Sequence, residues 1–353
     1  MHSRSIAPRY IVVMKLSVLD QSPIRKGGTA ADAVHETIEL AKACESFGYA
    51  RYWLAEHHNT YSFAGSTPEV LIARVAAETK TMRIGSGGIM LPHYSPLKVA
   101  ENFRMLETLY PERVDLAVGR APGSDQRTAV ALQGGPQPWD IETFPQQVAL
   151  LRHYLEESAG LAQWPVDHPY RSVHASPRGP GLPEMWMLAS SMSGAVFAAE
   201  LGLPLSFAHF ISPDAGPEAA ELYRRRFKPH APGDRPRVAV GIFAIAAPTD
   251  EEADYLCATR NLWVLHLLQG RSGAFPSPDE ALAYAYSEAE HAQVKAIAAR
   301  SISGTPERVR ESLERLAAVY GADELNVLSI TYDFAARVNS YRLIAEAFRN
   351  APA

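Results

Sequence analysis

Short apolar runs alternate with longer stretches whose apolar residues recur every three or four positions, from near the first residue to near the last. That alternation is the mark of parallel βα units: a doubly buried strand reads as a continuous apolar run, and the helix covering it reads as a stripe. The pattern predicts strands at Lys15–Asp20, Arg51–Ala55, Arg83–Met90, Arg113–Gly119, Met185–Ala189, Pro204–His209, Arg237–Ala246 and Leu325–Ile330. Eight strands with helices between them predict a (β/α)8 TIM barrel. Helix signals fall in the gaps. Thr29 and Asp32 form a capping box ahead of the stripe Val34, Ile38, Ala41, Cys44, and Gly48 stands where a left-handed cap residue is expected. Thr67-Pro68, Ser95-Pro96 and Thr305-Pro306 each put a capping hydroxyl before a proline suited to the first helical turn. The stripes Val99, Phe103, Leu106, Tyr110 and Val309, Leu313, Leu316, Tyr320 are expected to cover the barrel wall.

Three stretches exceed a minimal barrel. Segments 121–140 and 160–184 are irregular and rich in Gly and Pro, and a third insertion is expected over 261–303, with GRSGAFPSPDEALAYAY as its mobile middle. Residues 1–14 read as a disordered extension ahead of one barrel domain over 15–350. A net charge of −5 and a pI near 6.2 disfavour a nucleic-acid binder, which needs concentrated Lys and Arg. The two cysteines, Cys44 and Cys257, offer neither a disulfide framework nor a zinc site, which suits the cytoplasm. No apolar run is long enough for a membrane span, and the expected partners are a small-molecule substrate rather than nucleic acid or membrane.

Candidate chemistry collects where strands end. His57 follows the strand at Arg51 and is a candidate acid or base, or else a loop hydrogen-bonder; His58 is expected to point elsewhere, which disfavours a two-histidine metal site. Gly85-Ser86-Gly87-Gly88 interrupts a strand, either to admit a flat ligand or to form a barrel bulge. Arg120 follows the strand at Arg113 and can hold a phosphate or pair with an acidic loop residue. Ser190, Ser191, Met192, Ser193 and Gly194 open a helix; capping needs one hydroxyl, so this cluster favours a bound phosphate. Trp53, Tyr94, Phe207, Trp263 and Tyr332 are candidates for lining a ring-binding cavity. No His-x-His pair or grouped carboxylates mark a metal-dependent barrel hydrolase, and no metal is expected.

The ordered set Trp53 to His58, Gly85 to Pro92, Gly119-Arg120, Ala189 to Gly194 and Gly304 to Glu307 resembles the landmarks of bacterial luciferase-like flavin-dependent monooxygenases, most closely a YhbW-like branch. The resemblance runs over Lys15 to Phe348. It implies a barrel that binds FMN at the carboxyl ends of its strands, works as a homodimer, and uses reduced FMN and O2 to oxidise a small organic substrate. It assigns the active-site histidine to His57, a cis peptide beside the flavin ring to Gly87-Gly88, and phosphate positions to Arg120, Ser191 and Gly194. Two departures stand out: Ser190 replaces an acidic residue and Gly194 a hydroxyl-bearing one. Without a nicotinamide-binding fold in view, a separate reductase is one source of reduced flavin and reduction in the same mouth is another. A deazaflavin-dependent oxidoreductase and a flavin-binding protein without turnover are the alternatives.

Overall fold

The structure, a computed structural model, describes residues 14–120, 125–133 and 141–350. The expected extension, apart from Met14, and parts of the 121–140 insertion lie outside the described residues. The strands are β1 (Lys15–Asp20), β2 (Arg51–Leu54), β3 (Arg83–Met90), β4 (Val114–Gly119), β5 (Glu184–Ala189), β6 (Leu205–Ala208), β7 (Val238–Ala246), β8 (Ile302–Gly304) and β9 (Glu324–Leu328). β1 to β7 pair in sequence order, β9 pairs with both β7 and β1, and every pairing is parallel, so eight strands close into a TIM barrel. The eight predicted strands each fall within two residues of an observed barrel strand. β8 was not predicted; it is three residues long and extends the end of β7 outside the barrel, pairing at Ala244–Ala246.

Local chemistry explains most of the elements. The Thr29–Asp32 capping box forms, and its helix over Ala30–Ser46 buries Ala33, Thr37, Leu40, Ala41 and Cys44 against the wall. Thr305 caps the helix Pro306–Tyr320, which ends on Gly321 in the left-handed conformation that residues with a Cβ rarely take. Thr67 and Ser95 precede their prolines but make no side-chain cap. Proline at the start already removes one of the donors a cap would satisfy.

The insertion expected from 261 begins later, because the helix Asp250–Leu268 continues through it. Burial of Leu262, Trp263 and Leu265 overrides the weak amphipathic signal that suggested a break there. Nor does its middle read as loose chain: Phe275 is buried and trades backbone hydrogen bonds with Ile24 and Lys26, and short helices follow at Pro278–Ala283 and Glu288–Ala298. The irregular 160–184 segment is tied down by buried Arg104, which donates to the carbonyls of Pro177, Gly179 and Gly181.

Apolar packing forms two shells. Leu40, Phe103, Leu151 and Tyr341 belong to the shell between strands and helices. Leu19, Trp53, Ala117, Trp186, Ala239 and Leu328 fill the barrel interior. Its amino-terminal end is sealed by charge: Arg51 bonds Asp115 at 2.7 Å and Glu184 at 2.6 Å and pairs with Glu324 at 3.1 Å, while Arg237 also reaches Glu184 at 2.6 Å. Burial alone would raise the Glu184 carboxyl, but the two arginines outweigh it and hold it down to about 2. Trp53 and Trp186 lie directly above, in edge contact with ring centroids 5.4 Å apart, and Trp53 Nε1 donates to Asp115.

Candidate active site

At the opposite, carboxyl end the strands open into a cavity of ≈ 340 Å³. This is the end at which TIM barrels place their chemistry. Gln21 enters it from beyond β1, Glu56 and His57 from β2, Gly87 and Met90 from β3, Arg120 from β4, Ser190, Ser191 and Gly194 from β5, and Phe210 and Gly241 from β6 and β7.

One half of the cavity is built at the start of the helix Met192–Glu200. Ser191 is its N-cap, in extended conformation, with Oγ accepting from the Gly194 N–H at 3.3 Å. Ser191 Oγ and Ser193 Oγ are 3.1 Å apart, and Arg120 Nη2 donates to Ser193 Oγ at 3.1 Å. The guanidinium also sits 5.5 Å from the Phe197 ring centroid. No carboxylate among the described residues pairs with Arg120, so its charge faces the open helix end. Two further helix N–H groups and the N-terminal dipole point the same way. Gly194 has a packing reason to be glycine: a Cβ there would lie 2.7 Å from that of Ala189. Met192 is turned away and packs on the outer shell, and Ser193 meets Arg120 without lining the cavity.

His57 faces this cradle from the far side. Its ring stacks on Phe63 at 4.5 Å, its backbone N–H donates to the Gly65 carbonyl, and its Nδ1 is buried without a partner among the described residues. Burial pushes its pKa down to about 4, against the weaker upward pull of Glu56. His57 is therefore neutral near pH 7. Its neighbour diverges as expected: His58 Nε2 lies 2.7 Å from Glu56 Oε1. Buried Glu56 is fully engaged, accepting also from Tyr94 Oη at 2.8 Å and from the Met90 N–H at 3.0 Å, and so fixes the β2 and β3 ends to each other.

The glycine run serves the barrel and the cavity together. The Gly87–Gly88 peptide is cis, and the β3–β4 register shifts between Gly87 and Ile89. A Cβ on Gly87 would come within 2.5 Å of Leu19 Cδ1 and 2.8 Å of Trp53 Cβ; one on Gly88 would meet the Ala117 carbonyl oxygen at 2.6 Å. Gly87 lines the cavity and Gly88 lies behind it.

The aromatic expectations need correction. Trp53 belongs to the barrel floor, Phe207 packs outward, Tyr94 is committed to Glu56, and Tyr332 donates to the Lys26 carbonyl at the surface. Trp263 does stand near the site, in a group with Phe63 and Phe275 behind His57. Phe210, in the loop after β6, is the aromatic that lines the cavity. Neither it nor Gln21, whose Oε1 is buried without a partner among the described residues, was singled out in the sequence, because loop residues carry no periodicity.

A sequence model of the family described as luciferase-like monooxygenase matches residues 14–323. The luciferase-like monooxygenase of Escherichia coli strain K12 is 40% identical over 330 residues, which cover 93% of this chain and 95% of that protein. N-acetyl-S-alkylcysteine monooxygenase of Bacillus subtilis strain 168 is 35% identical over 336 residues, or 95% and 98% of the two chains. The crystal structure of apo-MsnO8 superposes with a TM-score of 0.86 at 39% identity, covering 96% of this chain and all of that one (100%). With its closed barrel and a cavity at the carboxyl end, this chain belongs to the luciferase-like monooxygenase family.

Proposed function

We propose that the protein is a monooxygenase that binds reduced FMN in the mouth cavity and uses O2 to oxidise a small organic substrate. The observation that carries this reading is the pairing of an anion cradle, made by Arg120 with the Ser190–Gly194 helix start, with a neutral, partly shielded histidine across the same cavity. The residues fit the cofactor. Arg120, Ser191 and the helix N–H groups take the phosphate, Gly87 leaves room for the ring system, and the unpartnered Gln21 Oε1 offers an acceptor to its polar edge. When bound, FMN supplies the redox chemistry that amino-acid side chains lack.

The protein's part is positional. His57 is held neutral by burial, so one ring nitrogen donates and the other accepts, and the ring is available to exchange a proton with cofactor or substrate. Phe63, Trp263 and Phe275 keep water from the back of His57. A separate reductase supplies the reduced flavin in this reading. Tyr61, Val70, Met105 and Leu109 are exposed apolar side chains around the helices Pro68–Glu78 and Pro96–Leu109, which supports a homodimer that covers them. Two free, buried cysteines and the lack of a membrane-crossing helix among the described residues are consistent with a cytoplasmic enzyme.

The test is equilibrium titration of FMN, riboflavin and a deazaflavin, read by fluorescence. FMN is expected to bind most tightly, and Arg120→Ala to weaken it about 10- to 150-fold, the equivalent of one charge-assisted contact, while riboflavin changes little. Equal losses for FMN and riboflavin refute the phosphate assignment. Tighter binding of the deazaflavin refutes the choice of FMN.

A further inference from the structure

Arg260 is a buried cation without a counter-ion among the described residues. It lies on the helix Asp250–Leu268, three and four positions before Trp263 and Val264, and packs on Phe243, whose ring belongs to the barrel interior. Only 5% of Arg260 is exposed. Its guanidinium carbon stands 4.0 Å from the Phe243 ring centroid, Nη1 makes one long hydrogen bond to Asn261 Oδ1 at 3.4 Å, and Nε is buried with no partner. No carboxylate among the described residues pairs with it.

The other buried arginines are treated differently. Arg51 has Asp115, Glu184 and Glu324, Arg337 has Asp20, and Arg104 has three carbonyls. Burial lowers the Arg260 pKa only to about 10, so it stays charged at neutral pH. Cation–π contact with Phe243 offsets part of the desolvation and, beyond the one long bond to Asn261, leaves the fork without a charged acceptor. The void beside it, ≈ 10 Å³, has room for about one water, which would bring a hydrogen bond and no charge.

A route joins this cation to the active site. Phe243 lies 5.3 Å from Phe210, and Phe210 lines the mouth cavity. Two rings thus separate the guanidinium from the mouth cavity. A planar fork with a neutral amide beside it, in dry aromatic surroundings, suits a monoanionic carboxylate better than a phosphate dianion. The phosphate already has its own cradle at Arg120.

We propose that Arg260 is the specificity residue for substrate, and that this enzyme takes compact organic acids whose carboxylate pairs with the Arg260 fork. The apolar part of the acid lies toward Phe243, Phe63 and Trp263, and Phe243 turns aside as it enters. This rests on the flavin monooxygenase reading, whose own readout, FMN affinity by fluorescence, is taken separately; wild-type protein that failed to bind FMN would overturn that reading and, with it, this one.

The experiment is calorimetric titration of the FMN-loaded protein with two matched pairs: N-acetyl-S-benzyl-L-cysteine and its carboxamide, and 4-phenylbutanoate and 4-phenylbutanamide. At least one acid is expected to bind about tenfold or more tightly than its amide, as one charge-assisted contact requires. Arg260→Met should erase that preference with FMN affinity unchanged, and Arg260→Lys should retain part of it. Arg260→Met should also raise the thermal midpoint, because it removes an uncompensated buried charge. If neither acid outbinds its amide, or if the preference survives in Arg260→Met, the proposal is wrong. A fall in thermal midpoint with the preference intact would assign Arg260 to packing alone.

Discussion

His57 makes the stability of the protein depend on pH in a way that can be isolated. Its pKa in the folded chain is about 4, against 6.5 for an exposed histidine. As pH falls, the unfolded chain therefore takes up this proton first. The contribution of His57 is fully present above about pH 6.5 and is lost progressively down to about 4, where its full worth of about 3 kcal/mol is gone. Between pH 7 and pH 5 the linkage relation gives a loss of about 2 kcal/mol, and solvent reaching the cavity mouth brings this nearer 1 to 2. The perturbation is His57→Asn, which removes the titration. Urea unfolding of wild type and variant at pH 7 and at pH 5 gives four free energies, and the other titrating groups cancel in their double difference. Wild type is expected to lose about 1–2 kcal/mol more than the variant on acidification. The histidine resonance that disappears from the NMR spectrum of the variant should not titrate in wild type above pH 5. A double difference of zero, or a resonance titrating between pH 6 and 7, would show that His57 is open to water and refute the neutral, shielded imidazole.

Two further perturbations probe the scaffold around the site. Asp20 is fully buried, accepts from Ser22 N, Thr37 Oγ1, Tyr52 Oη and Arg337 Nη2, and keeps a lowered pKa because Arg337 and these bonds outweigh its desolvation; Asp20→Asn leaves Arg337 uncompensated and should cost about 3–5 kcal/mol in urea unfolding, so a loss under 1 would contradict the account. Gly87→Ala drives a Cβ against Leu19 and Trp53; calorimetry should show a loss of about 1–3 kcal/mol, and an unchanged midpoint would mean the barrel interior yields freely there.

Strands and outer helices were legible because each must bury an apolar face, and burial writes a period into the sequence. β8 was not, since three residues cannot display a period. Asp250–Leu268 has apolar residues on several faces, packing partly on the barrel interior, so its pattern looked broken near Asn261. The site was legible where strands determine it: His57, Arg120, Ser190 and Ser191 follow recognisable strands, Gly87 interrupts one, and all five line the cavity. Gln21 and Phe210 sit in loops with no repeating pattern, and nothing in the sequence marks Arg260, because the want of a carboxylate partner among the described residues is a fact of three dimensions.

The charged seal at the amino-terminal end of the barrel, capped by Trp53 and Trp186, turns the mouth into a vessel with a single door. Whatever lies deepest must arrive first and depart last. In the proposed flavin chemistry, cofactor, substrate and product share that entrance, so the order in which they pass it shapes each turnover. Each reduced flavin is spent on one oxidation, so a reductase-fed cycle needs flavin to pass that same door once per turnover.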